Sequence, residues 1–382
     1  TPMLNRRQRQ MCIRDSYMAD GHRIALICGD GIGHDVAEAA IAVVDAALDR
    51  IGMAPLHYQE IAAGAGYYQD TGIDIEPGGE ERVGEADAIF MGAIGLPSIR
   101  HQDGTEISPH LRIRDRFGLY AGVRPVKAYP SAPQRLADPR AAQIDLVILR
   151  ESTEGLFYTA AVHGRSDIRG DDEVRDTLRI TRTTTEKLHR FGFRLAERRK
   201  SKGRPGLITC VDKANVFASM AFFRKIFDEI APEFPHVEFV YNYVYAHALD
   251  LIRRPWDFYV LVMENMFGDI LSDLAGGLVG GMGMAACGEI GDEHGLFQPA
   301  HGSAPDIMGQ DKANPLAAIL SGALMLDYLA EKSGSSGYAD AALAIEDAVQ
   351  TGFEGKRLRP MEFGGDMGTK AVTSEILATI TK

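Results

Sequence analysis

Residues 265–273 read Asn-Met-Phe-Gly-Asp-Ile-Leu-Ser-Asp and place two aspartates, Asp269 and Asp273, four positions apart. Residues i and i+4 of a helix lie on the same face, so both carboxylates are predicted to point toward one place. Converging carboxylates supply the hard oxygen ligands that divalent cations prefer. An acidic pair at this spacing also occurs on ordinary solvated helix faces, so the surrounding sequence has to decide between the two interpretations.

The sequence on both sides of the aspartates favours a ligand site. Val260–Met263 is an apolar run that predicts a buried strand, and Gly268 lies where a strand-to-helix turn is expected. Residues 276–283 read Gly-Gly-Leu-Val-Gly-Gly-Met-Gly, which is too rich in glycine for an ordinary helix. Glycines of this kind suit a backbone that closely approaches a ligand. We therefore predict a metal site followed by a flexible loop.

Length and composition predict a globular protein of two domains, because the 382 residues are 45% apolar and 25% charged. No apolar run approaches the roughly 18 residues of a membrane span. The net charge of −12 argues against nonspecific nucleic-acid binding, which depends on clustered positive charge. The cysteines form no Cys-x-x-Cys pair and no secretory segment is recognised, so we expect a cytoplasmic protein in a reducing compartment.

Residues 1–17 differ from the rest of the chain. They lack apolar periodicity, are rich in arginine and poor in acidic residues, and precede a clear strand signal that follows Met18. A transit peptide shares the arginine bias, but the serine-rich amphipathic pattern of that class is missing. We interpret residues 1–17 as a non-native extension and expect the native chain to begin near Met18.

Apolar runs alternate with helical patterns along the chain, which is typical of an α/β protein with crossover helices. The predicted elements are a helix at 36–48 and strands at 23–28, 88–91, 146–149 and 206–210. The low-complexity tract 333–337 is predicted to be a surface loop. The turn at residues 29–33 has the spacing G-x-G-x-G and not the G-x-G-x-x-G of the Rossmann fingerprint, so a standard Rossmann fold is not expected.

Three arginines and one lysine add candidate site residues. Arg150 ends the predicted strand 146–149, at the edge where ligands of α/β proteins bind, and Arg114 and Arg124 precede it. Guanidinium groups bind carboxylates in bidentate fashion, so the three predict a polycarboxylate substrate, although each alone is also a common surface residue. Lys213 directly follows another predicted strand. Close to a divalent cation its pKa would fall into a range useful for proton transfer; the alternative is an ordinary loop lysine.

Five motifs, in order along the chain, carry a resemblance to a known family. They lie at residues 29–33, 150–155 (Arg-Glu-Ser-Thr-Glu-Gly), 211–215, 265–273 and 301–307 (His-Gly-Ser-Ala-Pro-Asp-Ile). Together they resemble the β-decarboxylating dehydrogenases, the family of isopropylmalate, isocitrate, homoisocitrate and tartrate/D-malate dehydrogenases. The resemblance implies an isopropylmalate dehydrogenase-like two-domain α/β fold. Its discontinuous cofactor-binding domain would contain residues 18–119 and 280–382, and its second domain, residues 120–279, would carry the substrate, the metal and the dimer interface.

The same resemblance implies a reaction and roles for individual residues. Arg114, Arg124 and Arg150 match the arginines that bind substrate carboxylates, and Asp269 and Asp273 match ligands of Mg²⁺ or Mn²⁺. The metal would chelate the 2-hydroxyl and adjacent carboxylate of a small hydroxy-dicarboxylate. Hydride would pass to the nicotinamide first, and the β-carboxylate would then leave as CO₂.

Family members are homodimers whose active sites borrow residues from the partner subunit. Lys213 matches the lysine that, from the neighbouring subunit, helps to remove the hydroxyl proton. Tyr158 is the candidate proton donor, but the family's tyrosine lies one position earlier, where this chain has Phe157. Tyr245 stands where the family has a third metal-binding aspartate. We expect either weaker metal binding or a proton relay in which Tyr245 supplies the missing hydroxyl group.

A further segment matches the adenosine-binding loop of the family. The residues carried over are His301, Gly302, Ser303, Ala304, Asp306 and Asn314. Asp306 stands where NAD-dependent members place an acid on the ribose hydroxyls, and it would repel a 2′-phosphate, so the resemblance implies NAD rather than NADP. Gln298 replaces the acid that commonly lies three residues before the histidine, a change that can alter cofactor affinity.

The substrate is expected to be a 3-substituted D-malate. Residues 106–114 read Glu-Ile-Ser-Pro-His-Leu-Arg-Ile-Arg, which is more polar than the stretch that covers a branched alkyl group in isopropylmalate enzymes. His110 is interpreted as a solvated loop residue rather than a specificity contact. The best single substrate is 3-isopropylmalate, and tartrate or D-malate is the alternative. A noncatalytic regulatory subunit is the rival function, which the changes at Phe157 and Tyr245 favour and the retained lysine, aspartates and arginines oppose.

Overall fold

The computed structural model of the protein describes residues 21–160 and 166–381. The extension interpreted as non-native, residues 1–17, lies outside these ranges. Within them, strands and helices alternate along the chain, which confirms the predicted α/β class.

The strands are short and mostly apolar. They are β1 Arg23–Gly29, β2 His57–Glu60, β3 Ala88–Ala93, β4 Ala121–Lys127, β5 Asp145–Glu151, β6 Asp167–Arg169, β7 Glu173–Arg175, β8 Leu207–Asp212, β9 Glu238–Tyr243, β10 Val260–Met263, β11 Ala286–Ile290 and β12 Gly295–Pro299. Each strand predicted from the sequence is found within one or two residues of its expected bounds.

The α-helices range from single turns to about five turns. They are α1 Gly33–Ile51, α2 Ala65–Thr71, α3 Gly79–Glu85, α4 Pro109–Arg116, α5 Phe157–Ala160, α6 Arg182–Ser201, α7 Ala218–Ile230, α8 Val244–Arg253, α9 Asn265–Leu278, α10 Leu316–Ser333, α11 Ser336–Glu354 and α12 Thr369–Ile380. Among the described residues, no helix combines the length and apolar character that a membrane crossing demands.

Ten of the strands form one sheet in the order β2-β1-β3-β12-β11-β4-β5-β10-β8-β9. The first four and the last four strands form two parallel blocks, and the antiparallel strands β11 and β4 join them. Gly288 of β11 lies opposite Val123 of β4, so the sheet continues across the domain boundaries expected from the sequence. The division into domains at residues 119 and 280 stays a prediction.

The inner parallel strands β1, β3, β5, β8 and β10 are buried on both faces, which explains why they are nearly continuous apolar runs. Successive side chains of a strand point to opposite faces. In β1, Ile24 therefore packs under α1, α10, α11 and α12, whereas Ile27 packs on the other face near Ile113. The second block repeats this arrangement, with Val262 on the side of α6 and α7 and Leu261 on the side of α9.

Two sequence expectations were wrong in detail. Gly276 and Gly277 belong to α9, so the glycine-rich loop opens only after Leu278. Tertiary packing overrides the low helix propensity of glycine there, because Gly276 is buried close to Met282. The predicted surface loop 333–337 shrinks to two residues between α10 and α11, where Gly334 closes α10 in the left-handed conformation that favours glycine.

The carboxyl ends of the parallel strands meet along one edge of the sheet. Strand β5 ends in Arg150 and Glu151, and the neighbouring strand β10 leads directly into α9. Met263 of β10 lies beside Arg150 in the parallel register. Ligands of α/β proteins bind at this edge, so the fold places the motifs at residues 150–155 and 265–273 where a site is expected.

Candidate functional site

Helix α9 begins with a side-chain cap directly after a buried strand. The carboxylate of Glu264 accepts hydrogen bonds from the backbone N–H groups of Met266 (3.1 Å) and Phe267 (3.3 Å), which fixes the first turn. Four residues apart on this helix, Asp269 and Asp273 line the same cavity, as predicted, with side chains 41% and 57% exposed. Both carboxylates are therefore accessible to a ligand.

The cavity has a volume of about 270 Å³ and lies between the two halves of the sheet. It brings together many of the residues predicted for the site, namely Arg114, Arg124, Arg150, Asp269, Asp273, His301 and Gly302. These residues come from α4, β4, β5, α9 and the loop after β12, so only the tertiary fold makes them neighbours.

Two of the arginines face the aspartates at close range. Arg150 is buried, donates from Nε to Asn265 Oδ1 at 2.8 Å and forms an ion pair with Asp269. Arg124 donates to Ser272 Oγ at 3.1 Å and lies 3.8 Å from Asp273 Oδ1. Burial, together with the neighbouring guanidinium groups, lowers the pKa of Arg150 to about 10, so it is still charged near neutral pH. The cluster is suited to bind an anion.

A buried carboxylate behind the arginines was missed by the sequence reasoning. Glu289 of β11 is completely buried, and its Oε1 lies 3.0 Å from Arg114 Nη2 and 3.8 Å from Arg124 Nη2. Burial opposes its ionisation, but the arginines outweigh burial and lower its pKa to about 2. A side chain at Gly122 would place its Cβ 2.8 Å from Glu289 Oε2, so glycine makes room for this carboxylate. The sequence feature that could have identified Glu289 is an acidic residue within an otherwise apolar strand segment.

Helix α4 forms a polar wall of the cavity. His110, interpreted from the sequence as a solvated loop residue, instead lies on this helix and lines the cavity with Glu106, Ser108 and Leu111. The segment folds back over the sheet edge, which the local sequence did not reveal. Burial, and then the positive charge of Arg114, lower the pKa of His110 to about 3, so its imidazole is neutral near pH 7.

The glycine turn at residues 29–33 packs against the predicted adenosine-binding loop. Ile32 N–H donates to the carbonyl oxygen of Ser303 at 2.8 Å. A Cβ at Gly31 would lie 2.1 Å from the same oxygen, and its φ of +54° also favours glycine. Asp30 of this turn accepts hydrogen bonds from the backbone N–H groups of Ala65, Gly66 and Gly95 and thereby anchors the turn. The glycine turn at residues 29–33 therefore holds the predicted adenosine-binding loop in place through the contact with Ser303.

The loop itself presents groups that fit a nucleotide. Asp306 and Gly302 are exposed, and the buried Nε2 of His301 has no hydrogen-bond partner among the described residues. Asn314 donates to Glu362 at 2.9 Å, and Glu362 also accepts from Gly283 N–H at 3.1 Å. An exposed carboxylate suits a ribose diol, so these residues fit NAD by donor type.

The two aromatic residues of α5 point in different directions. Phe157 lines the cavity, and its ring centre lies 4.7 Å from the guanidinium carbon of Arg150. The ring of Tyr158 instead packs against the guanidinium group of Arg179 at 3.8 Å. Consecutive residues of a helix point about 100° apart, and Tyr158 is not among the described residues that line the cavity. The catalytic role of Tyr158 stays a prediction.

Lys213 and Tyr245 lie together on a different surface. Lys213 follows β8, and its Nζ lies 3.7 Å from the ring centre of Tyr245 on α8. Neither is among the described residues that line the cavity. The role of Lys213 in catalysis stays a prediction.

The aspartate pair fits a hard divalent cation by donor type and exposure. Within residues 21–160 and 166–381, no group of three or more His, Cys, Asp or Glu side chains is arranged to hold a metal ion. Asp269 and Asp273 would therefore need further oxygen ligands from a substrate or from water.

A comparison with known protein families identifies the family of this chain. Residues 23–380 match the family described as isocitrate/isopropylmalate dehydrogenase. The chain belongs to this family. Its members are β-decarboxylating hydroxyacid dehydrogenases, which confirms the fold and the reaction class implied by the sequence motifs.

Named relatives and solved structures agree with this family. The 3-isopropylmalate dehydrogenase of Heyndrickxia coagulans is 39% identical over 86% of this dehydrogenase and 87% of its own length. The 3-isopropylmalate/3-methylmalate dehydrogenase of Methanocaldococcus jannaschii is 37% identical over 93% of this chain and 98% of its own. The crystal structure of isocitrate dehydrogenase from Methylococcus capsulatus superposes with a TM-score of 0.81, covers 95% of this chain and 100% of its own, and is 32% identical.

A close approach of α9 to Arg150 leads to a stability prediction for this dehydrogenase. A Cβ at Gly268 would lie 2.6 Å from Arg150 Cβ, whereas a Cβ at Gly277 of the same helix meets no atom within 4 Å. Gly268→Ala is expected to lower the free energy of unfolding by about 1–3 kcal/mol through overpacking. Gly277→Ala is expected to be neutral or to raise it by up to about 1 kcal/mol. Urea denaturation of both variants measures the difference, and equal stabilities would contradict the packing described.

Proposed function

We propose that the protein catalyses the NAD- and Mg²⁺- or Mn²⁺-dependent oxidative decarboxylation of a 3-substituted D-malate. The observation that carries the proposal is the convergence of three buried arginines and two accessible aspartates on one cavity. The names of the relatives put 3-isopropylmalate first among the candidate substrates, and the polar wall of α4 makes tartrate or D-malate the alternative.

The arginines account for substrate binding. Arg114, Arg124 and Arg150 offer planar donors to carboxylates, and their own side chains are buried, which makes their ion pairs stronger than pairs on the surface. Bound Mg²⁺ or Mn²⁺ would polarise the substrate oxygens, and bound NAD would accept the hydride. Asp269 and Asp273 would hold the cation beside the carboxylates that the arginines orient.

Substrate binding requires an exchange of partners within the site. In the ligand-free protein Asp269 is paired with Arg150, so its carboxylate has to leave Arg150 before it can act as a metal ligand. A substrate carboxylate that binds Arg150 releases Asp269 to act as a metal ligand. Substrate binding and metal binding would then be cooperative. The substrate carboxylate displaces Asp269 from Arg150, and the metal ion displaces Arg150 from Asp269.

The exposed carboxylate of Asp306 supports the choice of NAD. It lies in the 3₁₀ turn Pro305–Ile307, next to the exposed Gly302 and the unpartnered His301 Nε2. A carboxylate accepts hydrogen bonds from both ribose hydroxyls and repels a 2′-phosphate. We therefore propose NAD as the preferred cofactor over NADP.

An apolar surface supports a homodimer. Large apolar side chains are exposed on the edge strand β9 and on the adjoining helices α8 and α9, namely Phe239, Val240, Leu249, Ile252 and Ile270. The hairpin β6–β7 also exposes Ile168 and Val174, which are 64% and 61% exposed. Large exposed apolar side chains in this number are typical of a protein interface. Lys213 and Tyr245 adjoin this surface, so a second copy could bring them to the cavity.

A noncatalytic regulatory subunit is the second candidate function. The observation in its favour is that Phe157, which has no hydroxyl group, lines the cavity beside Arg150. The three arginines and the aspartate pair oppose it, because a regulatory subunit has no need to keep accessible carboxylates opposite an anion-binding cluster.

Metal-dependent turnover tests the proposed reaction. NADH formation is followed by absorbance with Mn²⁺ and each of D-malate, tartrate, 3-isopropylmalate and isocitrate. Asp269→Asn is expected to lower turnover by a factor on the order of 100 or more, because it removes a charged ligand of the cation. Asp340→Asn, on the exposed face of α11, serves as the control with unchanged turnover. A folded protein that is silent on all four acids would point to the regulatory function.

Two leucines of nearly equal exposure test the proposed dimer. Leu249 on α8 is 55% exposed within the apolar surface, and Leu343 on α11 is 54% exposed far from it in the fold. Leu249→Asp is expected to weaken the dimer by a factor on the order of 100, because an interface would bury its charge, and to lower turnover by removing Lys213 from the partner's cavity. Analytical ultracentrifugation should find Leu343→Asp unchanged. A monomeric wild-type protein, or a Leu249→Asp dimer of wild-type affinity, would refute this interface.

A further inference from the structure

The cavity offers no phenolic hydroxyl group among its described residues, although the proposed reaction needs a proton donor. When CO₂ leaves, the electron pair of its bond to C3 stays with the substrate as an enolate, and C3 then has to take up a proton. Phe157 lines the cavity but has no proton to give, and the ring of Tyr158 packs against Arg179. No tyrosine is among the described residues of the lining, so another group has to supply this proton.

Most polar groups of the lining are unsuited to this step. The guanidinium groups do not lose a proton, the aspartates are assigned to the cation, and the carboxylate of Glu106 is paired with Arg100 at 2.7 Å. Ser108 would be left as an alkoxide, which is an unfavourable anion in a partly buried place. Nδ1 of His301 lies 2.9 Å from the carbonyl oxygen of Gly302. A carbonyl only accepts, so in the neutral ring Nδ1 carries the proton and Nε2 has none to give.

His110 is the remaining candidate in the lining. It precedes Arg114 by four positions on α4, so both side chains lie on the helix face that lines the cavity. Burial, and then the charge of Arg114, lower the pKa of His110 to about 3, so its imidazole is neutral near pH 7. A neutral imidazole has one N–H donor and one acceptor nitrogen. The buried Nδ1 has no hydrogen-bond partner among the described residues, so none of them fixes a proton on this nitrogen.

We propose that His110 donates the proton that C3 takes up after CO₂ has left, the step for which Phe157 has no hydroxyl group. This inference rests on the proposed function, because it names a further catalytic residue of the same site. As the N–H bond of the ring breaks and the C3–H bond forms, water gives a proton to the other ring nitrogen, so the ring stays neutral. The proton balance closes over the cycle, because the 2-hydroxyl group loses one proton during oxidation and C3 gains one.

Hydrogen exchange at C3 of the 2-oxo acid product tests this step without hydride transfer or loss of CO₂, because the group that donates the proton also removes it in the reverse direction. The protein is incubated with Mg²⁺ in D₂O, and NMR follows the loss of the C3 proton signal. The probes are 4-methyl-2-oxopentanoate, pyruvate and 2-oxoglutarate, the products expected from 3-isopropylmalate, D-malate and isocitrate. The wild-type protein is expected to accelerate the exchange of at least one probe over the rate with Mg²⁺ alone.

Variants assign the exchange to the imidazole. His110→Asn and His110→Gln place an amide near the position of one or the other ring nitrogen, and each is expected to lower the exchange rate by a factor on the order of 100 or more. Either variant decides the question if the other does not fold. His236→Gln, in the exposed segment before β9 at the opposite edge of the sheet, is the control and should exchange at the wild-type rate.

Two further readouts separate proton transfer from a structural role of His110. Isothermal titration should give the His110 variants the wild-type affinity for the probe, because the arginines bind its carboxylate. Phe157→Tyr in the His110→Gln background should recover most of the lost exchange, because it adds a hydroxyl group to the ring that lies beside Arg150 in the cavity.

The outcomes distinguish this inference from the proposed function. A folded His110 variant that exchanges at the wild-type rate would overturn the inference, and so would a loss of exchange that lost affinity accounts for. A wild-type protein that exchanges the C3 protons of no probe would overturn it as well. Exchange that depends on His110, without NADH formation from any of the 2-hydroxy acids, would support the inference and refute the proposed dehydrogenase activity.

Discussion

The ion pair between Arg150 and Asp269 is the interaction on which the site depends. It joins the end of β5 to the first turns of α9, and it holds a buried guanidinium group opposite an accessible carboxylate. The contact requires close packing, because Gly268 leaves no room for a side chain against Arg150. A buried charge is tolerated only with a partner, so the helix, the strand and the cavity are fixed relative to one another by one electrostatic requirement.

The need of each buried guanidinium group for a charged partner also explains how the site can be stable without its ligands and still bind them. Without substrate, the aspartates neutralise Arg124 and Arg150; with substrate and cation, those pairs would be replaced by stronger or more numerous ones. Glu289 does not take part in the exchange, since it is buried behind Arg114 and stays ionised. Glu289 is therefore a fixed internal charge, whereas the pairs of Asp269 and Asp273 with the arginines can exchange when ligands bind.

Local spacing predicted the parts of the site that lie on one element. The i, i+4 rule correctly placed Asp269 and Asp273 on one face of α9. The ring of Tyr158 packs against Arg179, and its catalytic role stays a prediction. Glu289 was missed because its role depends on β11 returning, late in the chain, to pair with β4. The position of His110 was wrong because the path of α4 over the sheet edge is set by tertiary packing. The proposed role of Lys213 involves a second copy of the chain, and no pattern within one chain specifies in three dimensions where that copy lies.

The exchange of partners at Asp269 is tested most directly by the affinity for Mn²⁺ with and without succinate, a dicarboxylate that lacks the hydroxyl group needed for chelation. If a carboxylate at Arg150 releases Asp269, saturating succinate should tighten Mn²⁺ binding by a factor of about 5 or more, within the usual range of coupling between sites. Asp269→Asn should abolish this effect. An Mn²⁺ affinity that is the same with and without succinate, in a protein that binds both, would contradict the account.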